Sequence, residues 1–142
     1  VRARAGVGCL STALGTRGIY DALAAGRWVA ILGDQDARRR GCFVPFLGRP
    51  ASTAAGPARV ALKTGAPIVM GFAVRRADGR FDLEVRGPLV PPEPDAPGAV
   101  ERLTALHTAL LEERVRARPE LWFWLHRRWK TRPPGAAAGE GR

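Results

Sequence analysis

"TGAPIVMGFAVRRADGRFDLEVRG", residues 64–87, decides the fold class. At its centre "APIVMGFAV", 66–74, is the longest apolar run of the chain, nine residues. A bilayer-spanning helix needs about 18 or more, so the run reads as a buried strand. "PIVMGFAVRR" and "RFDLEVRG" flank "ADG", which has tight-turn composition, and the stretch therefore predicts two strands joined as a hairpin.

Working towards the N-terminus, Gly65 reads as the stop of a helix that ends near Thr64 and is capped by Ser52 or Thr53. "FVPFLG" at 43–48 is extended, and Pro45 makes it an edge or a loop wall. "WVAIL" at 28–32 is short and apolar and predicts a second buried strand, with "GDQDARRRGCF" leaving it as a loop. "TRGIYDALAAG" at 16–26 predicts a helix with Ile19, Leu23 and Tyr20 or Ala22 inward, closed by Gly26.

Towards the C-terminus, "PLVPPEPDAPG" at 88–98 holds five prolines in eleven residues and is a connector. Residues 98–117 predict a helix, with Val100, Leu103, His107, Leu110 and Leu111 at helical spacing. Pro119 breaks it and opens another helix running to about Thr131. Residues 134–142 predict a disordered tail. The fold class is α/β: a mixed sheet containing 28–32, 67–75 and 81–86, flanked by helices and covered on both faces. Asp34 and Gln35 then sit at a strand's C-terminal mouth.

The chain has 142 residues and a formal charge of +10, from 23 Lys and Arg against 13 Asp and Glu. Such a surface attracts phosphates on nucleic acid or lipid, or an acidic protein. Cys9 and Cys42 have no metal-site spacing and cannot staple a domain of this size, which points to a reducing compartment and no metal.

The loop 32–41 concentrates Asp34, Gln35, Asp36, Arg38, Arg39 and Arg40 and is the candidate site; the alternative is a solvated charged turn. "GVGCLS" at 6–11 imitates a dinucleotide fingerprint but lacks a preceding strand and the third glycine. "HTALLE", 107–112, is a His-x4-Glu pair. Five residues along a helix leave the two side chains about 140° apart, too far round to hydrogen-bond. His107 reads as a packing residue. In "ELWFWLHRRWKTRPPG", 120–135, Trp122, Leu125, His126 and Trp129 share one helical face, while Arg127, Arg128 and Lys130 spread over the remainder.

Two blocks resemble a known family. "LGDQDARRRGCFVPFLGRPASTAAGPARVALKTGAPIVMGFAVRR" resembles the central block of the bacterial lipid A biosynthesis (lauroyl/myristoyl) acyltransferases, within the lysophospholipid acyltransferase superfamily. It carries Asp34-Gln35, Gly41, "FVPFLG", Ala51-Ser52-Thr53, "TGAP" at 64–67 and Arg75 in the family's order. "RPELWFWLHRRWKTRP" resembles the closing block. The resemblance implies that 1–133 is the C-terminal portion of a single acyltransferase domain. The family's catalytic His-x4-Asp/Glu motif is expected upstream of Val1, so no catalytic residue is assigned here. It further implies acyl transfer from an acyl-acyl carrier protein to a hydroxyl of a phosphorylated glycolipid, at the cytoplasmic side of the inner membrane, without a cofactor. Arg4, Asp34, Gln35 and Arg75 become the expected substrate-binding residues. Arg127, Arg128 and Lys130 become contacts to the carrier protein or to lipid headgroups. The competing reading is a basic peripheral membrane- or nucleic-acid-binding module without catalysis. Three tryptophans in one helix rather than on a strand platform argue against nucleic acid.

Overall fold

The computed structural model describes residues 2–10 and 15–135 and divides the chain into two compact units, 1–31 and 32–142. The disordered tail expected over 134–142 lies almost entirely outside the described residues. In the first unit a 3-10 turn, Arg2–Ala5, precedes helix α1, Arg17–Ala24. Ala22 is its buried residue, and Ile19, Tyr20 and Leu23 are half-buried, so the expected face is the inward one.

"WVAIL" is not a strand: 28–32 has no regular structure, and Trp28 is 88% and Leu32 89% exposed. An extended segment becomes a strand only when another offers it a hydrogen-bonding edge, and none among the described residues does. The expected sheet therefore loses its first member.

The second unit is α/β, built from two separate two-stranded antiparallel sheets instead of one mixed sheet. Strands β1, Cys42–Phe46, and β2, Arg49–Thr53, pair with Phe46 opposite Arg49. Leu47 and Gly48 turn between them with φ of 50° and 76°. Positive φ at both central residues gives the tight turn that matches strand twist. Ser52 and Thr53 thus lie inside a strand and cap nothing. Helix α2, Gly56–Thr64, starts instead after Ala55 with Pro57 in its first turn, and stops as expected at Gly65, whose φ is 73°. Strands β3, Ile68–Arg75, and β4, Phe81–Leu89, form the expected hairpin, pairing Arg75 with Phe81. Asp78 accepts the Arg80 amide at its turn, and Gly79 supplies a φ of 83°.

Helix α3, Ala99–Ala117, is the spine. One stretch of it packs Ala99 and Leu103 against Ala58, Ala61 and Leu62 of α2, with Ile68 and Leu89 at the margin. Further along, Val115 and Leu111 pack on Phe46 and Ala51 of the β1–β2 hairpin, together with Trp122 and Trp129. Arg114 reaches Glu84 of β4 at 3.0 Å. The β3–β4 hairpin is covered on one face only. Its other face leaves Phe81, Leu83 and Val85 more than half exposed, because no second layer among the described residues lies over them.

The expected helix over 119–131 is absent. A 3-10 turn, Pro119–Leu121, is followed by turns whose backbone bonds close over two or three residues, such as Trp124 to Trp122 and Lys130 to Arg127. Trp, Phe and His are weak helix formers. In this segment they gain more from contacts with the β1–β2 hairpin than from a helical ladder. Leu125, expected inward, is 86% exposed.

Candidate functional site

The two blocks that stand out in the sequence meet in the folded second unit. The loop 34–41 and the segment 122–131 are joined across β2 by side-chain bonds between residues about 75 to 95 positions apart.

Arg128 is central. It is 1% exposed. Its Nη1 donates to the Ser52 carbonyl at 2.7 Å and its Nη2 to Thr53 Oγ1 at 2.6 Å. Its guanidinium lies 5.3 Å from the Phe46 ring centre. Burial lowers the pKa of this group, and the negative charges of Asp36 and Asp34 oppose that shift. An arginine stays charged in a protein, so the buried cation is held by two carboxylates of the expected site loop. Arg128 Nε and Asp36 Oδ1 are each buried without a hydrogen-bond partner, so Asp36 acts on Arg128 through charge across a gap.

Asp36 anchors the loop in two further ways. Its backbone N–H donates to His126 Nε2 at 2.9 Å, and its Oδ2 accepts from Thr131 Oγ1 at 2.9 Å. The bond requires His126 Nε2 to be unprotonated. Ser52 Oγ donates to the Arg38 carbonyl at 2.5 Å, and the Ala37 N–H donates to the Ser52 carbonyl at 3.1 Å. Arg38 takes a φ of 56° there. Gly41 is required by space: a Cβ would stand 2.5 Å from Ser52 Oγ and 2.7 Å from the Thr53 carbonyl oxygen. This close approach gives the glycine after Asp34-Gln35 a physical reason.

Of the expected substrate-binding residues, the structure brings only Asp34 into this network, half-buried and acting electrostatically on Arg128. Gln35 is exposed. Arg75 is exposed at the turn end of β3, with no side-chain bond among the described residues. Arg4 is exposed in the first unit. Arg127 and Lys130 are exposed as expected, but Arg128 is not on the solvated face. In a helix it would have pointed away from Trp122; in the turn conformation it joins Trp122 and Trp129 against Phe46. Asp36, Ser52, Thr53, His126 and Thr131 complete the network. The density of polar residues in "GDQD" and "HRRWKT" flagged both segments, but nothing local told that they bond to each other.

His107 and Glu112 do not form a catalytic pair. Glu112 Oε2 accepts the Leu47 amide at 2.7 Å, and Oε1 accepts from Arg116. These bonds, the amide's first, hold its carboxyl below the usual range. His107 is buried, and burial lowers its pKa from 6.5. The sign follows: above pH about 6.5 His107 is neutral in both folded and unfolded chains and carries no penalty. As pH falls through that value the unfolded chain takes up a proton that the folded chain refuses, so stability is lost down to the folded pKa. A His107→Leu variant is expected to flatten the melting temperature between pH ~6.5 and 5; an unchanged slope would place the titrating group elsewhere.

Among the described residues no helix is long and apolar enough to cross a membrane, and no cluster of three His, Cys, Asp or Glu could hold a metal ion.

Comparison with known proteins puts these segments in context. The sequence model of the family described as bacterial lipid A biosynthesis acyltransferase matches residues 1–131. A lipid A biosynthesis lauroyltransferase of Escherichia coli (strain K12) is 34% identical over 122 residues, 84% of this chain and 39% of that relative. A lipid A biosynthesis palmitoleoyltransferase of the same strain is 32% identical over 126 residues, 86% of this chain and 40% of that relative. A lipid A biosynthesis acyltransferase of Shigella flexneri matches at the same identity and coverage. The chain thus spans about two fifths of the length of these curated relatives.

Proposed function

The chain belongs to the bacterial lipid A biosynthesis acyltransferase family, and we propose that the protein it forms part of transfers a fatty acyl chain to a hydroxyl of a lipid A precursor. The observation that carries this reading is the family match across residues 1–131, which includes both halves of the Asp36–His126–Arg128–Thr131 network.

The donor is an acyl-acyl carrier protein and the acceptor a phosphorylated glucosamine disaccharide bearing hydroxyacyl chains. A histidine oriented by an acidic partner, upstream of Val1, deprotonates the acceptor hydroxyl. That oxygen attacks the thioester carbonyl, and the carrier thiol leaves with a proton. Asp34, which faces the buried Arg128, and Gln35 shape the floor of the site; Arg75 and, separately, Arg4 in the first unit are phosphate ligands. Arg127 and Lys130 offer exposed cations to the carrier or to headgroups at the cytoplasmic side of the inner membrane. The nucleic-acid alternative has little support. Trp122 and Trp129 pack on Phe46, with ring centres 5.6 and 5.7 Å away, and offer no open stacking platform.

Acyl transfer from radiolabelled acyl-carrier protein to the phosphorylated disaccharide tests the reading. The full-length protein is expected to form the added ester. Residues 1–142 alone are expected to form none, because a positioned general base contributes on the order of 10²–10⁴ in rate and orientation contributes more. Transfer by 1–142 would show that the base lies within this chain. No transfer by the full-length protein, with several acyl chain lengths tried, would defeat the assignment.

A further inference from the structure

The bond between His126 and the backbone of Asp36 does more than join two segments. The Asp36 N–H lies in the peptide plane whose carbonyl belongs to Gln35, and that plane is rigid. Holding the hydrogen therefore sets how Gln35 is presented. Among the described residues neither Asp34 nor Gln35 has a backbone bond of its own. The 2.9 Å bond from Asp36 to His126 Nε2 is the first anchor after them, followed by that of Ala37 to the Ser52 carbonyl. The first anchor is titratable. An imidazolium donates from both nitrogens and accepts at neither, so a proton on Nε2 and this bond exclude each other.

The charges near the ring supply no replacement. On the loop, Asp36 gives Oδ2 to Thr131 and keeps Oδ1 buried without a partner, while Asp34 faces Arg128. Arg38, Arg39 and Arg40 follow on a 3-10 turn, and Arg127, Arg128 and Lys130 follow His126 in its own segment. On the β1–β2 hairpin Arg49 lies over Trp129, and on α3 Glu112 is taken by Leu47 and Arg116. A protonated His126 thus meets a second donor, the Asp36 N–H, where it now accepts. Asp36 Oδ1 bonds to no group at present, so the protonated ring reaches it only if ring or backbone moves.

We propose that His126 is a positioning residue for the Asp34-Gln35 loop: its neutral Nε2 fixes the Gln35–Asp36 peptide, and protonation of the ring frees it. His126 touches no substrate in this scheme and acts through the backbone of Asp36. The inference rests on the acyltransferase reading only for the claim that turnover depends on that loop.

Glutamine places Oε1 as many bonds from Cβ as Nε2 stands in histidine, and it accepts without titrating. His126→Gln therefore keeps the anchor at every pH, and His126→Leu removes it. The full-length protein and both variants are followed by hydrogen exchange at the Asp36 amide, corrected for its intrinsic pH dependence, between pH about 8 and 5.5, where imidazole takes up a proton. Amides in the middle of α3 are the control, since they report global opening and the titration of His107. The expected result is an acid loss of about fivefold or more in Asp36 protection in the unaltered protein, the worth of one hydrogen bond, and none in His126→Gln. The α3 amides should respond alike in these two proteins. His126→Leu should leave the Asp36 amide open throughout. Turnover is read as the ratio of His126→Gln to unaltered protein, in which titration of the upstream base cancels; it should rise ~threefold or more towards acid pH.

An equal acid loss at Asp36 in His126→Gln would overturn the proposal, and so would an amide still protected in His126→Leu. An amide open at every pH in both variants supports the anchor, because the acid loss has vanished with the imidazole. A flat turnover ratio in a glutamine variant that keeps the amide protected would overturn the positioning role. Exchange needs no acyl transfer. The expected exchange pattern in a protein that transfers no acyl chain at any pH would therefore defeat the enzymatic reading and leave the His126 anchor standing.

Discussion

Arg128→Ala is expected to destabilise the second unit by about 3–5 kcal/mol, the usual cost of removing one partner from a buried charge network. The substitution takes from Thr53 Oγ1 its Arg128 donor and from the Ser52 carbonyl one of two donors, leaving the latter only the Ala37 N–H. It also leaves Asp34 and Asp36 without the cation they face. Arg128→Lys should recover only part of the loss, because one ammonium cannot reproduce two divergent N–H bonds to Ser52 and Thr53. Arg127→Ala is the matched control: its side chain is exposed, and such charges are worth less than about 1 kcal/mol. Urea melts of the three variants decide the matter. Similar midpoints for Arg128→Ala and Arg127→Ala would mean that the closing segment does not hold the 34–41 loop. In the full-length protein the same loss should lower turnover as Asp34 loses the cation it faces, and Arg128→Lys should restore part of it.

Phe46→Ala is expected to cost a similar amount, about 3–5 kcal/mol, through lost burial and the cavity left behind. Phe46 is 0% exposed and stands where α3 and the closing segment meet the β1–β2 hairpin. Trp129 stacks on it at 5.7 Å, Trp122 tilts against it at 5.6 Å, Arg128 lies over its ring, and Val115 of α3 packs behind. Small domains hold only about 5–15 kcal/mol in total. The melting temperature should therefore fall by more than ~10 °C. Phe46→Leu keeps most of the volume and should cost closer to 1.5 kcal/mol. Tryptophan fluorescence gives a second readout, since Trp122 and Trp129 would gain water contact in Phe46→Ala. A shift of only a degree or two would show that the aromatic cluster contributes little, and that the closing segment is held by its polar bonds alone.

Some of this protein is written in short windows of its sequence. The β3–β4 hairpin follows from alternating apolar residues around Ala-Asp-Gly, and the end of α2 from Gly65. Helix α3 follows from apolar positions at helical spacing between a proline-rich connector and Pro119. Each depends on forces within a few residues: backbone freedom at glycine, the missing amide of proline, a periodic apolar face. The ordered match of "GDQDARRRG" and "HRRWK" to a family was equally legible, since it depends on residue order alone.

Tertiary structure decided the remainder. "WVAIL" has the composition of a strand, but a strand needs an edge to pair with, and no local pattern reports whether that edge exists. "WFWLHRRWK" has helical spacing, yet its residues fold into turns because Phe46, Ser52, Thr53 and Asp36 offer Trp122, Trp129, Arg128, His126 and Thr131 better partners than a helix would. The burial of Arg128 is the clearest case. A lone arginine reads as a surface residue because desolvating a charge is costly. Only the folded chain brings two carboxylates, a carbonyl, a hydroxyl and an aromatic ring close enough to offset that cost.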